Sequence, residues 1–238
     1  MAAYGWLMRE GRRQRLDGEA LASLGLWAIV GAIAGARVLM VVRDLPAYAA
    51  NPSALLSTAT LMSAGDFYGG FLGALAASAL FFRRHPHLPF WRVADACGPA
   101  IALGQGIGRI GCFMAGDDYG RPTTLPWAVT FSDPDAGRLG GAPLGVPLHP
   151  VQLYESVVCF ALFALLVRMR RRPHRDGAVI LAYTFAYAVA RFLIEFLRGD
   201  ADRGFVLGGW LSTSQFIAVI LGPAAAIVWL ARRGVTTR

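Results

Sequence analysis

Six stretches, each apolar and long enough to cross or nearly cross a bilayer, recur at residues 21–42, 67–82, 93–115, 151–167, 178–197 and 205–231. A helix needs about 20 mostly apolar residues to span the hydrocarbon core, where only helices and closed barrels satisfy every backbone donor and acceptor. With 55% hydrophobic residues and a mean hydropathy of +0.47 over 238 residues, the chain is expected to be one all-α polytopic membrane domain with about six transmembrane helices. Gly222 and Pro223 predict a kink in the last of them. Two segments interrupt the pattern. An external arm covers 44–66, and its apolar piece 54–62 is too short to span, so it lies at the interface or re-enters. An external head covers 117–149 and is rich in Pro, Gly and Asp, with a short strand expected at 126–131; its composition fits an ordered cap or a structureless loop.

Arginine sets the orientation, because the chain has no lysine. If six spans alternate, Arg9, Arg12, Arg13 and Arg15, then Arg83, Arg84 and Arg92, then Arg168, Arg170, Arg171, Arg172 and Arg175, and finally Arg232, Arg233 and Arg238 share one side. The positive-inside rule makes that side cytoplasmic, with both termini on it. The opposite side mixes Arg43, Arg121, Arg138 and Arg203 with many aspartates. A net charge of +8 distributed in short clusters at span ends fits anionic lipid headgroups and excludes a nucleic-acid partner. Cys97, Cys112 and Cys159 lie within candidate spans without CxxC spacing, which argues against a disulfide framework. His85 and His87 sit in a basic connection without acidic or cysteine ligands, so no metal site is expected. No cleavable signal peptide is visible in the first 15 residues.

Small residues recur at helix-contact spacing, Gly31 with Gly35, Gly69 with Gly73 and Gly104 with Gly108, which predicts close helix approach. Gly106, Gly108 and Gly111 spell GxGxxG, but no strand precedes them and a dinucleotide loop is not expected. Within the same span stands Arg109. A guanidinium at membrane depth costs at least about 2.5 kcal/mol, so it persists where it meets water, a counter-charge or an anionic ligand. Pairing with a carboxylate to fix helix packing is the structural alternative.

Tyr187, Arg191, Glu195 and Arg198 follow at helical spacing and share one face. A self-neutralising ladder leaves one positive charge over, which together with Arg109 points to an anion site in the outer half of the membrane. His149-Pro150-Val151-Gln152-Leu153-Tyr154-Glu155 opens another span. Pro150 suits a first turn, His149 is a cap or interface residue, and Gln152 and Glu155 lie where they can hydrogen-bond the arginines. Two planar guanidinium forks match phosphate oxygens, which suggests a phospholipid substrate.

Gly108-Arg109-Ile110-Gly111, Phe113, Gly116-Asp117, Gly120-Arg121, the 149–155 segment and Arg191-Phe192-Leu193-Ile194-Glu195-Phe196-Leu197-Arg198 together resemble bacterial prolipoprotein diacylglyceryl transferase. Weaker echoes lie at Gly35-Ala36-Arg37 and Tyr68-Gly69-Gly70, and the likeness covers nearly all the chain from about residue 20. The resemblance implies a multi-pass inner-membrane enzyme that moves the diacylglyceryl group of phosphatidylglycerol onto the lipobox cysteine thiol of a prolipoprotein signal peptide, releasing glycerol phosphate. It implies no metal and no organic cofactor. By resemblance, Arg109 and Arg191 hold the headgroup, Tyr187 and Glu195 shape the same wall, and Cys112, Gly116, Arg121, His149, Gln152, Glu155 and Arg198 complete the substrate site.

Departures from the family pattern occur at Cys112 and Ala115, where asparagine is usual, at Asp117 in place of glutamate, and at Tyr68 in place of histidine. Two amides are thereby lost from the site. Tyr68, with an ordinary pKa of about 10, is a poorer base than histidine and is assigned to orienting the substrate. Asp117 is assigned as base or electrostatic partner for the acceptor thiol, with a turn-capping aspartate as the structural alternative. Family members usually begin with an earlier span, and residues 3–8 look like its tail. Two other readings remain open: a phospholipid-binding membrane paralogue that is non-catalytic or serves another acceptor, and a solute transporter, whose expected internal repeats are not visible.

Overall fold

The computed structural model describes residues 1–58, 60, 65–200 and 203–232. It is mostly helical and divides into two compact units, residues 8–93 and residues 1–7 with 94–238. Helix α1 covers Ala2–Arg13, where residues 3–8 were expected to continue a span. Among the described residues, four helices have both the length and the hydropathy to cross a membrane: α2 (Gly18–Arg43), α7 (Val151–Arg170), α8 (Ala178–Ile194, extended by a 3-10 turn Glu195–Leu197) and α9 (Thr213–Arg232). Two further expected spans, 67–82 and 93–115, fall on helices α4 (Phe67–Arg84) and α5 (Phe90–Ala115).

In the unit of residues 8–93, α2 and α4 pack antiparallel through the expected glycines. Asp17 caps α2 by accepting from the amides of Glu19 and Ala20, and Asp66 caps α4 through those of Tyr68 and Gly69. The helix backbones meet where a side chain would not fit. A Cβ on Gly35 would lie 2.2 Å from the Gly69 carbonyl oxygen, and one on Gly73 would lie 2.1 Å from that of Gly31. Gly73→Ala should therefore cost about 1–3 kcal/mol through forced separation of the helices. Thermal unfolding checks this against Gly25→Ala, where the new methyl would meet nothing within 4 Å. The arm contains α3 (Leu45–Ala50) and a 3-10 turn (Pro52–Leu56); residues 59 and 61–64, in the expected apolar piece and its flank, lie outside the described residues.

In the other unit, α5, α7 and α8 enclose a core of Ala102, Leu162, Leu166, Val179 and Tyr183. The predicted Gly104–Gly108 contact is not made: the nearest neighbour of a Cβ on Gly104 is Ala3, and one on Gly108 meets nothing within 4 Å. Gly106 is the close position, where a Cβ would lie 2.9 Å from the Phe160 ring. Small spacing marks where approach is possible, and the facing residue decides whether it occurs.

Asp95, which the hydropathy reading passes over, is buried and accepts from the amides of Gly177, Val179 and Ile180 at 2.8–3.0 Å. A carboxylate on α5 thus caps the first turn of α8, whose own cap position is a left-handed glycine without a side chain. The head contains strand β1 (Val129–Thr130), inside the expected strand, paired antiparallel with β2 (Pro147–Leu148), and a short helix α6 (Pro134–Leu139). The last expected span is corrected at its start. Phe205–Val206 (β3) and Leu211–Ser212 (β4) form a hairpin, and α9 begins only at Thr213 before running through Pro223. Successive left-handed residues Leu207, Gly208 and Gly209 break the helix there.

Candidate active site

The functional side chains converge where the C-terminal ends of α5 and α8 meet the first turns of α7 and α9. Gly116, at φ +71°, ends α5. Its lack of a side chain is required, since a Cβ would lie 2.7 Å from Ala136 of α6. Asp118 is also left-handed, at φ +53°, a conformation that aspartate tolerates better than most residues. This turn sends the Asp118 carboxylate back to Arg109 Nη1 and across to Arg198.

Arg109 is braced from a second direction, with Nε 3.1 Å from Glu155 Oε2. Glu155 is buried one turn into α7, accepts from the Tyr187 hydroxyl at 2.6 Å and lies 4.0 Å from Arg191. The expected ladder on α8 is present: Arg191 Nη1 lies 2.7 Å from Glu195 Oε2, and Arg198 lies 4.0 Å from it. Arg191 also donates to the Ser214 hydroxyl at 3.1 Å, Arg198 Nε to Asp200 at 2.8 Å, and Arg203 approaches Glu195 at 3.9 Å.

The expectation of a surplus positive charge is corrected by this network. Arg109, Arg191, Arg198 and Arg203 are matched by Asp118, Glu155, Glu195 and Asp200. Counting along one helix omits carboxylates that arrive from other elements. What the network provides is aim rather than excess charge: each guanidinium has five N–H donors in a fixed plane, and the carboxylates hold that plane while occupying part of it. Gln152 donates Nε2 to the Asp117 carbonyl at 2.7 Å rather than to an arginine. Gln152 Oε1 and both Glu195 carboxylate oxygens are buried without an aligned hydrogen bond among the described residues. Buried acceptors left this way are uncommon and call for a partner such as water, an ion or a bound group.

The two adjacent aspartates have opposite electrostatics. Burial alone would raise the Asp118 carboxyl, but Arg198 and Arg109 overcome it and hold the group below the ordinary carboxylate range. Asp117 is exposed, accepts from the Asp118 amide at 2.8 Å, and is raised by lost solvation first and the Asp118 charge second. Cys112 Sγ and carboxylate oxygens of Asp117 and Asp118 lie within 4.8 Å of one another. Because the folded pKa of Asp118 is depressed, its contribution to stability is complete above the unfolded value of about 3.9 and is lost as pH falls through the folded value. Acid unfolding followed by intrinsic fluorescence should therefore show a loss of stability below about pH 4 that is smaller in Asp118→Asn.

A profile of the prolipoprotein diacylglyceryl transferase family matches residues 1–231. The chain belongs to this family. A protein of Azotobacter vinelandii named phosphatidylglycerol–prolipoprotein diacylglyceryl transferase is 38% identical over 221 residues, covering 90% of this chain and 79% of the relative. One of the same name from Pseudomonas putida is 34% identical over 245 residues, covering 98% and 87%. Another, from Solidesulfovibrio magneticus, is 38% identical and covers 81% and 70%.

Within this prolipoprotein diacylglyceryl transferase family member, most residues singled out from the sequence lie in the same unit. His149 is half-buried, with Nδ1 3.4 Å from the Tyr154 hydroxyl, which itself accepts from Trp127 at 2.7 Å. Burial first and the nearby Arg121 second lower its pKa, which favours the neutral imidazole. Arg121 joins the site through its backbone: its amide donates to the Leu197 carbonyl and its carbonyl accepts from His149. Tyr68 stands on the first turn of α4, in the unit of residues 8–93. Asp200, Arg203 and Ser214 were missed from the sequence. Their signal was position, since each flanks a span end, but no helical spacing links them to the ladder.

Proposed function

We propose that this chain transfers the diacylglyceryl group of phosphatidylglycerol to the lipobox cysteine thiol of prolipoproteins, as a multi-pass enzyme of the bacterial inner membrane with both termini in the cytoplasm. Its relatives are named phosphatidylglycerol–prolipoprotein diacylglyceryl transferases, which supports the donor and the acceptor class. The observation that carries the reading is the pair Arg109 and Arg191, both held by the buried Glu155. Arg109 presents Nη1 to Asp118 and Nε to Glu155, which leaves Nη2 to donate to a phosphate oxygen. Glu195 and Gln152 Oε1 are suited to accept from the headgroup glycerol hydroxyls.

In the reaction, the thiol proton passes to the Asp117 carboxylate and the thiolate attacks the glyceryl carbon that bears the phosphate. A carbon–sulfur bond forms, the carbon–oxygen bond breaks, and glycerol phosphate departs with the bonding pair, its charge held by donors already in place. Asp117 suits the base better than Asp118: it is exposed, and lost solvation raises it above the ordinary carboxylate value, whereas Arg198 and Arg109 hold Asp118 as an anion. A non-catalytic paralogue has no need of such a base. Incubating the purified protein with phosphatidylglycerol and a lipobox peptide tests the proposal, scored by the mass of diacylglyceryl added to the peptide. An unmodified peptide with retained phosphatidylglycerol binding would instead favour the binding module.

A further inference from the structure

The hairpin between α8 and α9 has the composition of a buried element but is exposed. Residues 204–214 contain no charged side chain. Phe205, Leu207 and Trp210 are 51%, 65% and 88% exposed. Each strand has only two residues, too few for a hairpin to stand on its own in water. Leu207 holds a left-handed conformation that its side chain disfavours. The hairpin joins two helices with the length and hydropathy of spans, which places it at a membrane face. Leu193 and Phe196 at the end of α8, and Phe216 and Ile220 at the start of α9, are also exposed apolar side chains on the helix ends it joins.

Its base is tied to the ion-pair cluster. Arg203 stacks over the Phe205 ring at 4.9 Å and donates to the carbonyls of Arg198 at 3.0 Å and Glu195 at 3.3 Å. On the other strand, Ser212 and Gln215 cap α9 reciprocally, each backbone amide bonding the other's side chain at 3.1 Å, on either side of the Ser214 that holds Arg191.

We propose that this hairpin is a membrane anchor that inserts Phe205, Leu207 and Trp210 into the headgroup–acyl boundary of the leaflet it faces. Through Arg203 and the α9 cap, it holds the Arg191–Arg198 cluster at the depth of lipid phosphates. Tryptophan favours that boundary because its ring is apolar and its N–H still finds a partner. Insertion rests on α8 and α9 being spans and does not depend on the transfer reaction; the coupling to the cluster rests on that reaction.

The test reconstitutes wild type and Trp210→Phe into phosphatidylcholine vesicles containing phosphatidylglycerol, with or without lipids brominated at a shallow or a deep acyl carbon. The difference between the two proteins isolates Trp210 from the other tryptophans. Its emission should be quenched more by shallow than by deep bromines. No quenching by either lipid would overturn insertion, and protection that appears only when a lipobox peptide is added would assign the surface to the acceptor instead. For the coupling to the cluster, Trp210→Asp and Leu207→Asp should raise KM for vesicle phosphatidylglycerol while leaving kcat and the peptide KM unchanged, and Trp210→Phe should restore the wild-type value. Wild-type KM in both aspartate variants would overturn that half of the proposal; the quenching experiment needs neither variant.

Discussion

Asp117→Asn is expected to abolish peptide modification while leaving phosphatidylglycerol binding intact. Asparagine keeps the size and the ability to accept from the Asp118 amide, so the turn survives, but it cannot take a proton from a thiol. A general base contributes about a hundredfold to ten-thousandfold, and a thiol with an ordinary pKa of about 8.5 is only slightly ionised at neutral pH. Turnover by peptide mass and lipid binding, measured on the same preparation, check both halves. Asp118→Asn should differ in kind. It frees Arg109 and Arg198 from their shared carboxylate, so lipid binding should weaken along with turnover. If Asp117→Asn turns over normally while Asp118→Asn loses turnover but keeps lipid binding, the proton-accepting role belongs to Asp118.

Lysine at position 109 should lower turnover about tenfold or more, equal to about 1.4 kcal/mol of transition-state stabilisation. The guanidinium meets Asp118 and Glu155 along two different edges, which a single ammonium on a flexible stem cannot reproduce while also facing a phosphate. Arg191→Lys should behave alike, since Arg191 must reach Glu195 through one terminal nitrogen and Ser214 through the other. Initial rates at saturating phosphatidylglycerol provide the measurement. A near-normal rate in Arg109→Lys with normal expression would make this arginine a packing residue.

Much of this site could be read before any coordinates. The periodicity of an α-helix puts Tyr187, Arg191 and Glu195 on one face, and burial then requires a partner such as Glu155. The choice between Asp117 and Asp118 could not be read, because it depends on φ values at Gly116 and Asp118 that turn one carboxylate inward and leave its neighbour outside. The balance of charge was hidden for a related reason: Asp118 and Asp200 reach Arg198 from outside the helix that carries the ladder. At residues 205–212, hydropathy reads an exposed apolar hairpin as the start of a helix, and the Gly208-Gly209 pair was the available sign of a turn. Asp95 escaped notice because the groups it satisfies are backbone amides more than eighty residues away, which leave no trace in side-chain patterns.

That buried carboxylate has a mechanical consequence. Arg109 rides on α5 and Arg191 on α8, and Asp95 pins the far end of α8 directly to α5. From that joint to Arg191 the helix runs about 20 Å at 1.5 Å per residue, stiff along its whole length. The spacing of the two arginines is therefore governed in part by a pin at the opposite end of a lever, to which Gly177, the last residue of the loop between α7 and α8, contributes its amide.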